Sequence, residues 1–402
     1  MISVTEAEKI ILDHARTYGV AEVPLDKAVG RVLAEDILAD RDLPPYDRVT
    51  MDGIAIRYRA FAEGMCSFRI KATMAAGDMP IDITADDECI ELMTGCALPA
   101  STDTVVRYED VEIKEGMATI TPDAIRQGAN IHRKGRDKQA GDAVALAGIM
   151  IDAAVISIAA SVGQDSIKAR EVPRVVIIST GDELVDVDKV PGEYQIRRSN
   201  SYAIKAALRY YGIEAGTKHM NDDAAIMRQQ IGECLAIYDV VILSGGVSMG
   251  LYDHVPQALQ VLGVEQLFHK VRQRPGKPFW FGRYGASGAL VFAFPGNPVS
   301  AFMCTYRYLV PWLHASLHGE AVRPHYAVLG AHVTFTPRLQ YFLQVRVHVS
   351  DTGQLVAMPI EGNGSGDHAN LVAANAFMEL PEDKDEHEQG AVYMIWPFKR
   401  IV

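Results

Sequence analysis

Residues 173–318 alternate short apolar runs with longer helical patterns, and no other feature constrains the fold of this chain as strongly. Strand–helix alternation implies a parallel sheet with right-handed crossovers. Ligands of such sheets bind beyond the carboxyl ends of the strands, so a site is expected there. The predicted strands lie at 174–178, 213–219, 239–243, about 277–282 and about 289–294, and the predicted helices at about 199–211, 222–236 and 254–262 and from about 298 onward.

The segments on either side of this region predict smaller domains. Short β-rich pieces separated by Gly, Pro and Asp turns fill 41–138 and predict an inserted β domain. Helical patterns flank it: Thr5 and Glu8 form a capping-box pattern at the start of one helix, and residues 142–170 also look helical. After Pro324, the alternation of apolar and polar residues predicts a small C-terminal barrel.

The predicted fold class is therefore multidomain α/β plus β. A chain of 402 residues is too long for one ordinary core, which agrees with this division. The predicted boundaries are 1–40 with 139–172 for a discontinuous N-terminal domain, 41–138 for the inserted β domain, 173–320 for the α/β domain and 321–402 for the barrel.

The composition excludes several classes of protein. Hydrophobic residues make up 49% and charged residues 22%, which is a globular balance and not that of a disordered chain. The net charge of −12 argues against general nucleic-acid binding, and no stretch resembles a signal peptide or a membrane span. The 5 cysteines lack a CxxC pair, which is typical of reduced thiols in the cytoplasm and argues against a structural zinc site. We therefore expect a cytoplasmic protein with neither nucleic acid nor membrane as a partner.

Three strand ends in the α/β region carry loops suited to phosphate. The motifs "STGDEL" and "SGGVSMG" follow apolar strands, and Gly245 and Gly246 allow the backbone to approach a ligand closely. Backbone amides of such loops donate hydrogen bonds to phosphate oxygens. In "FPGNPVS", Pro298 and Ser300 lie in the first turn of a predicted helix, whose N-terminal amides favour an anion.

A separate basic turn lies in "RQRPGKPFWFG", where Arg274 and Lys277 flank a Pro-Gly pair and suit the binding of an oxyanion. A Gly-rich loop after one strand is often only a tight turn. Three such loops in one sheet, beside a basic turn, favour a binding function. The chain contains neither a Walker A motif nor a GxGxxG after a strand, so the common nucleotide-binding fingerprints are absent.

Carboxylates cluster on the same loops, namely Asp182, Glu183, Asp222 and Asp253. Each one alone is compatible with a helix cap or a solvated charge, and Asp222 is placed to N-cap the helix that follows it. Beside phosphate-type loops, however, the set indicates a divalent cation. Mg²⁺ prefers carboxylate, water and phosphate oxygens, and it removes the repulsion between acid and anion.

An alternative enzyme hypothesis rests on Ser248 in "GVSMG", which matches the GxSxG nucleophile elbow of hydrolases. An elbow follows its strand directly, whereas Ser244, Gly245 and Gly246 intervene here. No later Asp and His stand out as partners. A hydrolase is therefore the weaker of the two enzyme hypotheses.

Six motifs occur in order along the chain: "PPYDRVTMDGIAI", "LMTGCALP", "STGDEL", "SGGVSMGLYD", "PGKP" and "FPGNPVSA". Together they resemble the MoeA/gephyrin E-domain family, the molybdopterin molybdotransferases, over nearly the whole chain. The resemblance implies a four-domain plan. It consists of a discontinuous N-terminal domain, an inserted β domain, a MogA-like α/β domain with a parallel-rich sheet, and a C-terminal β-barrel.

The resemblance also implies a reaction. Enzymes of this family take adenylylated molybdopterin and molybdate, cleave the adenylate in a Mg²⁺-dependent step and insert molybdenum at the dithiolene. They act as elongated homodimers, and a MogA-like molybdopterin adenylyltransferase is the implied upstream partner. The active site is expected between the α/β and C-terminal domains of one subunit and the β domain of its partner.

Carried over motif by motif, the resemblance implies catalytic roles for one set of residues and substrate binding for another. Glu183, Asp222 and Asp253 are also the implied metal ligands. The implied catalytic residues are Asp52, Glu183, Asp222, Asp253 and Lys277. The implied substrate-binding residues are Thr94, Asp137, Ser244, Gly245, Gly246, Arg274, Pro278, Pro298, Ser300 and Ser365.

The chain departs from the family pattern at three positions. Arg274 stands where Lys is frequent, which keeps the charge but replaces a point charge with a planar fork. His132 stands where Arg is frequent, so the charge there depends on pH. Gln344 stands where Arg is usual, which removes a cation near the implied oxyanion site.

A non-catalytic binding module is the alternative from another class of function. In gephyrin, an E-domain supports receptor clustering, so the fold alone does not decide the activity. The carboxylate set and Lys277 favour catalysis, because scaffolding alone would not require them.

Overall fold

A computed structural model describes residues 1–121, 125–247, 254–362, 364 and 366–401. The chain divides into two compact units. The first comprises Met1–Ala34, Gly148–Ala153 and Ser166–Val402, and the second comprises Glu35–Ala147 and Ala154–Asp165. Among the described residues, no helix is both long and apolar enough to span a membrane.

Within the described residues, a six-stranded sheet forms the centre of the first unit. Four neighbouring strands are parallel and two antiparallel strands extend one edge, so the predicted parallel-rich α/β sheet is confirmed. The strand Val240–Ser244 is buried at every residue, as is typical of a strand covered on both faces. In spatial order, the strands are Gly216–Met220, Val175–Thr180, Val240–Ser244, Leu290–Phe294, Trp280–Tyr284 and Val264–His269.

Helices cover both faces of this sheet. Successive residues of a strand point to opposite faces, and Ile177 accordingly packs in a core with Phe292 and Trp312, whereas Ile178 packs with Met227 in another. The helices of the first unit are Val4–Leu12, Leu25–Ala28, Asn200–Arg209, Ala224–Ile237, Val255–Val261, Pro298–Cys304, Val310–His318 and Asn370–Ala373, with a π-helical turn at Thr305–Leu309. Its short strand pairs are Val20–Pro24 with Ser166–Arg170, Leu184–Val185 with Ile196–Arg197, and Val333–Thr334 with Glu386–His387.

The C-terminal part of the first unit is a closed barrel, as the sequence predicts. The strand Gln340–Val349 pairs with strands on both of its sides, and this pairing closes the barrel. A two-residue strand, Gln273–Arg274, joins the barrel by pairing in parallel with the start of Gln340–Val349. Among the described residues, the barrel strands in spatial order are Gln340–Val349, Leu355–Pro359, His325–Leu329, Val392–Pro397 and Ala376–Leu380.

The second unit contains the predicted small β domain, which is built on a curled sheet. A Cβ at Gly53 would overlap the Val106 carbonyl oxygen, so the close pairing of these strands requires glycine there. Its described strands, in spatial order, are Thr104–Arg107, Gly53–Ile56, Glu88–Leu92, Ser67–Met74, Met117–Ile120 and Val111–Lys114. Its other elements are the pairs Arg48–Val49 with Ile131–His132 and Ile37–Leu38 with Ala143–Ala145, the helix Tyr58–Ala62, the 3₁₀ turn Tyr108–Asp110 and, from Ala154 onward, the helix Ala153–Ser161.

The first helix begins earlier than its predicted cap. Ser3 is the N-cap: its Oγ accepts a hydrogen bond of 3.2 Å from Glu6 N–H, and Glu6 Oε2 accepts one of 2.7 Å from Ser3 N–H. The prediction that Thr5 and Glu8 form the capping box is therefore wrong. Both pairs match the same spacing, and the structure uses Glu8 for a tertiary ion pair.

Residues 142–170 contain less helix than their composition predicts. The segment begins with the strand Ala143–Ala145 and ends with the strand Ser166–Arg170, and only Ala153–Ser161 is helical. Gly148 at φ 90° lies outside the helical region of backbone conformation, so a continuous helix is not possible there.

A buried guanidinium joins three parts of the first unit. The Arg307 side chain, on the π-helical turn, is 3% exposed and forms ion pairs of 3.0 Å with Glu8 of the first helix and with Glu379 of the barrel. Its guanidinium carbon lies 4.2 Å from the centroid of the Trp396 ring. Burial opposes the charge, but Glu379, with Tyr308 and Glu8, outweighs burial and raises the pKa of Arg307.

Replacing Arg307 with Met should strongly destabilise the first unit. Removing the cation leaves the largely buried Glu379 and the partly buried Glu8 without their ion-pair partner, although Glu379 keeps hydrogen bonds from Gln340 and Trp396. Breaking a buried ion pair in this way costs about 3–5 kcal/mol. The measurement is guanidinium chloride unfolding followed by tryptophan fluorescence, since all 3 tryptophans belong to the first unit.

The matched control is Lys9→Met, which removes the exposed ion pair with Asp13 on the same first helix. Exposed pairs contribute little to stability, so this variant should unfold nearly as the wild type does. An Arg307→Met variant that is as stable as Lys9→Met would contradict the role assigned to the buried guanidinium.

Candidate functional site

A cavity of about 780 Å³ lies beside the carboxyl ends of the parallel strands in the first unit. The strand ends line one side, and residues 274–278, here called the basic turn, line another. Tyr341 and Gln344 of the barrel strand Gln340–Val349 also contribute to the lining. The position is the one expected for ligands of an open α/β sheet.

Three hydroxyl side chains line the cavity at the strand ends. Ser179, Thr180 and Ser244 are 2%, 3% and 3% exposed. Ser244 Oγ accepts a hydrogen bond of 2.9 Å from Asn200 Nδ2. Ser179 Oγ and Thr180 Oγ1 have no hydrogen-bond partner among the described residues. A buried hydroxyl without a partner costs free energy, so these two groups suit a polar ligand.

Gly245 and Gly246 both have positive φ angles, a backbone conformation that favours glycine. Their φ angles are 106° and 65°, and a Cβ on Gly245 would lie 2.7 Å from the Thr180 carbonyl oxygen. Gly245 N–H, however, donates to the Phe294 carbonyl oxygen at 3.1 Å. Because the Gly245 N–H is already hydrogen-bonded to the neighbouring strand, other groups in the cavity must donate hydrogen bonds to a phosphate.

Two of the predicted carboxylates, Glu183 and Asp222, line the cavity. Asp182 instead ties the two loops together, because its Oδ1 accepts a hydrogen bond of 3.1 Å from Asp222 N–H. The helix that follows is capped by Asp223, whose Oδ1 accepts bonds of 2.9 Å from N–H groups of the first helical turn. The possibility that Asp222 is the N-cap is therefore excluded, and Asp222 instead lines the cavity.

The Asp222 carboxyl has a raised pKa. Partial burial is the main cause, and the like charges of Asp182 and Glu183 add to it. A cation beside these carboxylates would remove the repulsion. The described residues contain no cluster of three or more His, Cys, Asp or Glu side chains that could hold a metal ion by themselves. Mg²⁺ often binds through one or two carboxylates together with phosphate oxygens and water, so Glu183 and Asp222 fit that ion.

The basic turn brings two exposed cations, Arg274 and Lys277, to the cavity, with Pro278 beside them. The Arg274 guanidinium lies 5.8 Å from the centroid of the Phe335 ring. Phe335 in turn stacks on Tyr341, with ring centroids 4.1 Å apart. Arg274 is thus placed against an aromatic pair, an arrangement that suits a guanidinium better than a lysine ammonium.

The helix Pro298–Cys304 and the barrel supply polar groups beside the basic turn. Pro298 and Ser300 line the cavity in the first turn of this helix, and Ser300 is 3% exposed. Gln344 also lines the cavity, and its Oε1 is buried without a hydrogen-bond partner among the described residues. A neutral amide therefore stands where the family pattern leads us to expect a cation.

Three predicted site residues belong to the second unit. Asp52 is exposed, and its Oδ1 accepts hydrogen bonds from the hydroxyl of Thr94 at 2.7 Å and from its N–H at 2.6 Å. These two bonds lower the pKa of the Asp52 carboxyl. Asp137 Oδ1 lies 2.8 Å from His132 Nε2. Within this unit, the structure thus pairs Asp52 with Thr94 and Asp137 with His132.

Three residues singled out from the sequence lie outside the described residues. They are Asp253 and Ser365 of the predicted site and Ser248 of the hydrolase hypothesis. The roles proposed for them stay predictions. Of the described residues, Glu183 and Asp222 are the carboxylates that line the cavity.

Asn200 is a cavity residue that the sequence analysis did not single out. Its Nδ2 donates to Ser244 Oγ at 2.9 Å and to the Gly296 carbonyl oxygen at 2.7 Å, so it joins the loops after two strands. Arg197 and Arg198 also line the cavity. The signal for all three was the run "RRSNS", in which two cations stand directly before a helix start.

Three family models together match most of the chain. The "MoeA N-terminal region (domain I and II)" matches residues 2–163. A "Probable molybdopterin binding domain" matches residues 176–315, which include all of the α/β sheet except Val175. The "MoeA C-terminal region (domain IV)" matches residues 326–398. This range includes the five described strands of the closed barrel, apart from His325 at the start of the strand His325–Leu329.

Relatives of similar length agree with these models. The chain is 34% identical over 395 residues to the molybdopterin molybdenumtransferase of Synechocystis sp., covering 98% of this chain and 99% of that protein. It is 30% identical over 388 residues to the protein of the same name from Staphylococcus aureus, covering 94% and 91%. A solved structure of the molybdopterin biosynthesis MoeA protein from Pyrococcus horikoshii OT3 is 25% identical, with a TM-score of 0.78 and coverage of 99% and 100%.

Replacing Asp222 with Asn should slightly stabilise the protein at neutral pH. A carboxyl whose pKa is raised in the folded state favours folding only while it is protonated, so the stability it contributes below its ordinary pKa of 3.8 is lost as the pH rises through the folded-state value. Because the side chain is only partly buried, we expect a gain of about 0.5 kcal/mol or less. The measurement is thermal unfolding without divalent cations at pH 7 and at pH 5, and the gain should shrink at the lower pH.

Asp223→Asn is the matched control for this prediction, since it removes the neighbouring charge from a helix N-cap. Negative charge is favourable at a helix N-terminus, so Asp223→Asn should give no gain at pH 7. The same loss of stability in both variants would contradict the electrostatic description of Asp222.

Proposed function

The chain belongs to the MoeA family, and from this premise we propose that it is a molybdopterin molybdotransferase of molybdenum cofactor biosynthesis. In the proposed reaction, molybdenum from molybdate is inserted into adenylylated molybdopterin and AMP is released. One observation carries the proposal: the same cavity joins the phosphate-type strand ends, the carboxylates of Glu183 and Asp222, and the basic turn. A phosphoanhydride and a tetrahedral oxyanion need these surroundings.

The atoms of the proposed reaction balance without an oxidant or a reductant. Hydrolysis of the phosphoanhydride consumes one water, releases AMP and leaves the phosphate on molybdopterin. The two thiols of the dithiol replace one oxygen of molybdate, which leaves with their protons as water. Molybdenum keeps its oxidation state, and no covalent enzyme nucleophile is needed.

We assign the phosphoanhydride to the strand ends. Asn200 Nδ2 donates to Ser244 Oγ at 2.9 Å, which leaves the Ser244 hydroxyl proton free to donate to a phosphate oxygen. The hydroxyls of Ser179 and Thr180, which have no hydrogen-bond partner among the described residues, can form further hydrogen bonds with the phosphate at the strand ends. Preorganised donors of this kind stabilise the charge that develops when the P–O bond breaks.

The proposed metal ligands are Glu183 and Asp222, with Asp253 as a further predicted ligand. When bound, Mg²⁺ neutralises the charge of phosphoanhydride oxygens. The raised pKa of Asp222 supports this assignment, because partial burial and neighbouring carboxylates disfavour its ionised form. Asp182 is assigned the separate role of orienting the loop through Asp222 N–H.

Molybdate is a tetrahedral dianion, and we assign it to the basic turn. Lys277 supplies a point charge and Arg274 a planar fork of donors. Ser300 supplies a hydroxyl, and Pro278 and Pro298 border the same part of the cavity. Molybdate binding here depends on fewer cations than the family pattern implies, because Gln344 replaces an arginine.

The partners and location form part of the same proposal. We propose a homodimer, in which Asp52 has a catalytic role and Thr94 and Asp137 bind substrate, and a MogA-like adenylyltransferase as the source of the substrate. The support is the family relationship and the pairing of Asp52 with Thr94, which keeps an exposed carboxylate ionised. A cytoplasmic location is supported by the 5 free cysteines.

The test of the proposed function is an assay with purified protein, Mg²⁺, molybdate and adenylylated molybdopterin. We expect AMP release that depends on both Mg²⁺ and molybdate, together with active cofactor detected by reconstitution of an apo-molybdoenzyme. No AMP release under these conditions would overturn the proposal. The competing hydrolase hypothesis requires Ser248, so a fully active Ser248→Ala variant would exclude it.

Replacing Lys277 with Ala should disable the reaction and leave the fold intact. The side chain is exposed, so stability should change little, whereas loss of a preorganised cation should reduce kcat/KM for molybdate by at least about 100-fold. The measurement is AMP release at varied molybdate concentration. Lys114→Ala, which removes an exposed lysine paired with Glu112, is the control and should keep wild-type activity. Near-wild-type kcat/KM for Lys277→Ala would contradict the assignment of the oxyanion site.

A further inference from the structure

Gln273 is a fully buried polar side chain at the border between the cavity and the apolar core. It is 0% exposed and lies directly before the basic turn, near Met303 and Cys304 of the core. Burying an amide in such surroundings costs free energy unless its donors and its acceptor are hydrogen-bonded. An apolar side chain would fill the same space without that cost, so the amide has a role beyond packing.

The Gln273 amide forms a hydrogen bond with the backbone of the basic turn on the side that faces the core. Its Nε2 donates to the Gly276 carbonyl oxygen at 3.0 Å and lies 3.7 Å from Cys304 Sγ. Its Oε1 accepts a hydrogen bond from the Tyr308 hydroxyl. Phe279 N–H donates to the same Gly276 oxygen at 3.2 Å, so the turn is held from two sides.

Tyr308 fixes the orientation of this amide. The phenol is 1% exposed on the π-helical turn, and burial raises its pKa well above the ordinary value, so its hydroxyl keeps its proton. A hydroxyl that donates to Gln273 Oε1 leaves Nε2 facing Gly276. The flipped amide would place two oxygens in contact at Gly276. A π-helical turn is itself a geometry that recurs at functional sites.

Gly276 makes the backbone of the turn pack directly on the amide. Its φ of +87° is in the left-handed region, where glycine is favoured. A Cβ there would lie 2.7 Å from Gln273 Nε2 and 2.9 Å from both Cys304 Sγ and Met303 Cε. No layer of side chain separates the amide from the turn, so a change at Gln273 is transmitted to the turn backbone.

The basic turn is attached at both of its ends. Gln273 and Arg274 pair in parallel with the barrel strand Gln340–Val349. Val271 N–H donates to the Lys277 carbonyl oxygen at 2.9 Å. The side chains of Arg274 and Lys277 are long and exposed, so the protein controls where they reach chiefly through the positions of their backbone atoms.

We propose that Gln273 is a positioning residue for oxyanion binding, which holds the basic turn through Gly276 and Tyr308 so that Arg274 and Lys277 converge on one oxyanion. This inference rests on the function proposed above. It concerns affinity for molybdate and not affinity for the adenylylated pterin, which we assign to the strand ends.

The test compares Gln273→Met and Tyr308→Phe in the full-length protein. Met keeps the side-chain volume and removes both hydrogen bonds, whereas Phe removes only the hydroxyl. Calorimetry gives the Kd for molybdate, and the AMP-release assay gives KM for each substrate. We expect Kd and KM for molybdate to rise about tenfold in Gln273→Met and about threefold in Tyr308→Phe, with KM for adenylylated molybdopterin changed by less than about twofold.

Two further variants separate positioning from general destabilisation. Tyr306→Phe removes a hydroxyl from the same helical turn, at a ring that packs against Phe302 and Phe398, and should leave both KM values unchanged. The double variant Gln273→Met/Tyr308→Phe should bind molybdate about as well as Gln273→Met alone. Both substitutions remove one network, so their effects should not add.

The outcomes distinguish this inference from the proposed function. Kd and KM for molybdate within about twofold of wild type in both Gln273→Met and Tyr308→Phe would overturn the inference and leave the function standing. An equal rise of both KM values would also overturn it, since it would indicate a general loss of structure. A wild-type protein that neither binds molybdate nor releases AMP would overturn the proposed function and, with it, the inference.

Discussion

A buried charge holds the parts of the first unit in one arrangement. Arg307 is stable away from water only with its carboxylate partners, Glu8 of the first helix and Glu379 of the barrel. The barrel consequently packs against the α/β sheet in one way, and its strand Gln340–Val349 supplies part of the cavity lining. The strand ends alone would carry suitable loops but would lack the barrel residues that complete the site.

Opposite charges meet in this cavity, which explains the acid in "STGDEL". Glu183 and Asp222 follow strand ends, and Arg274 and Lys277 approach from the basic turn. A phosphoanhydride together with a metal ion needs carboxylates, whereas a free oxyanion needs cations. The carboxylates of this cavity would repel a phosphate group that carries no metal ion. The cavity therefore suits a pair of substrates in which one is a metal-bound phosphoanhydride and the other is a free oxyanion. The two adjacent acids also differ in role, because Asp182 binds a backbone N–H and Glu183 lines the cavity.

Much of the fold was predictable because its patterns are local. The strand Val240–Ser244 begins with four consecutive apolar residues and is followed by glycine, and each of its bounds lies one residue from the predicted bound. Contacts between residues far apart in the chain were harder to predict from the sequence. Asp222 and Asp223 match the same capping pattern, and only the folded loops show that Asp223 is the cap. Asn200 forms a hydrogen bond with a residue 44 positions away and Gln273 with one 35 positions away, so the local sequence does not identify the partner of either side chain.

The most direct measurement is a crystal structure of the protein soaked with molybdate and Mg²⁺, in which anomalous scattering from molybdenum locates the oxyanion. We predict an anomalous peak within hydrogen-bond distance, about 2.7–3.2 Å from oxyanion oxygen to donor, of Lys277 and Ser300. Density for Mg²⁺ should lie at Glu183 and Asp222. Molybdenum bound away from the basic turn, with these side chains free of ligand, would contradict the assignment of this cavity as the site of molybdenum insertion.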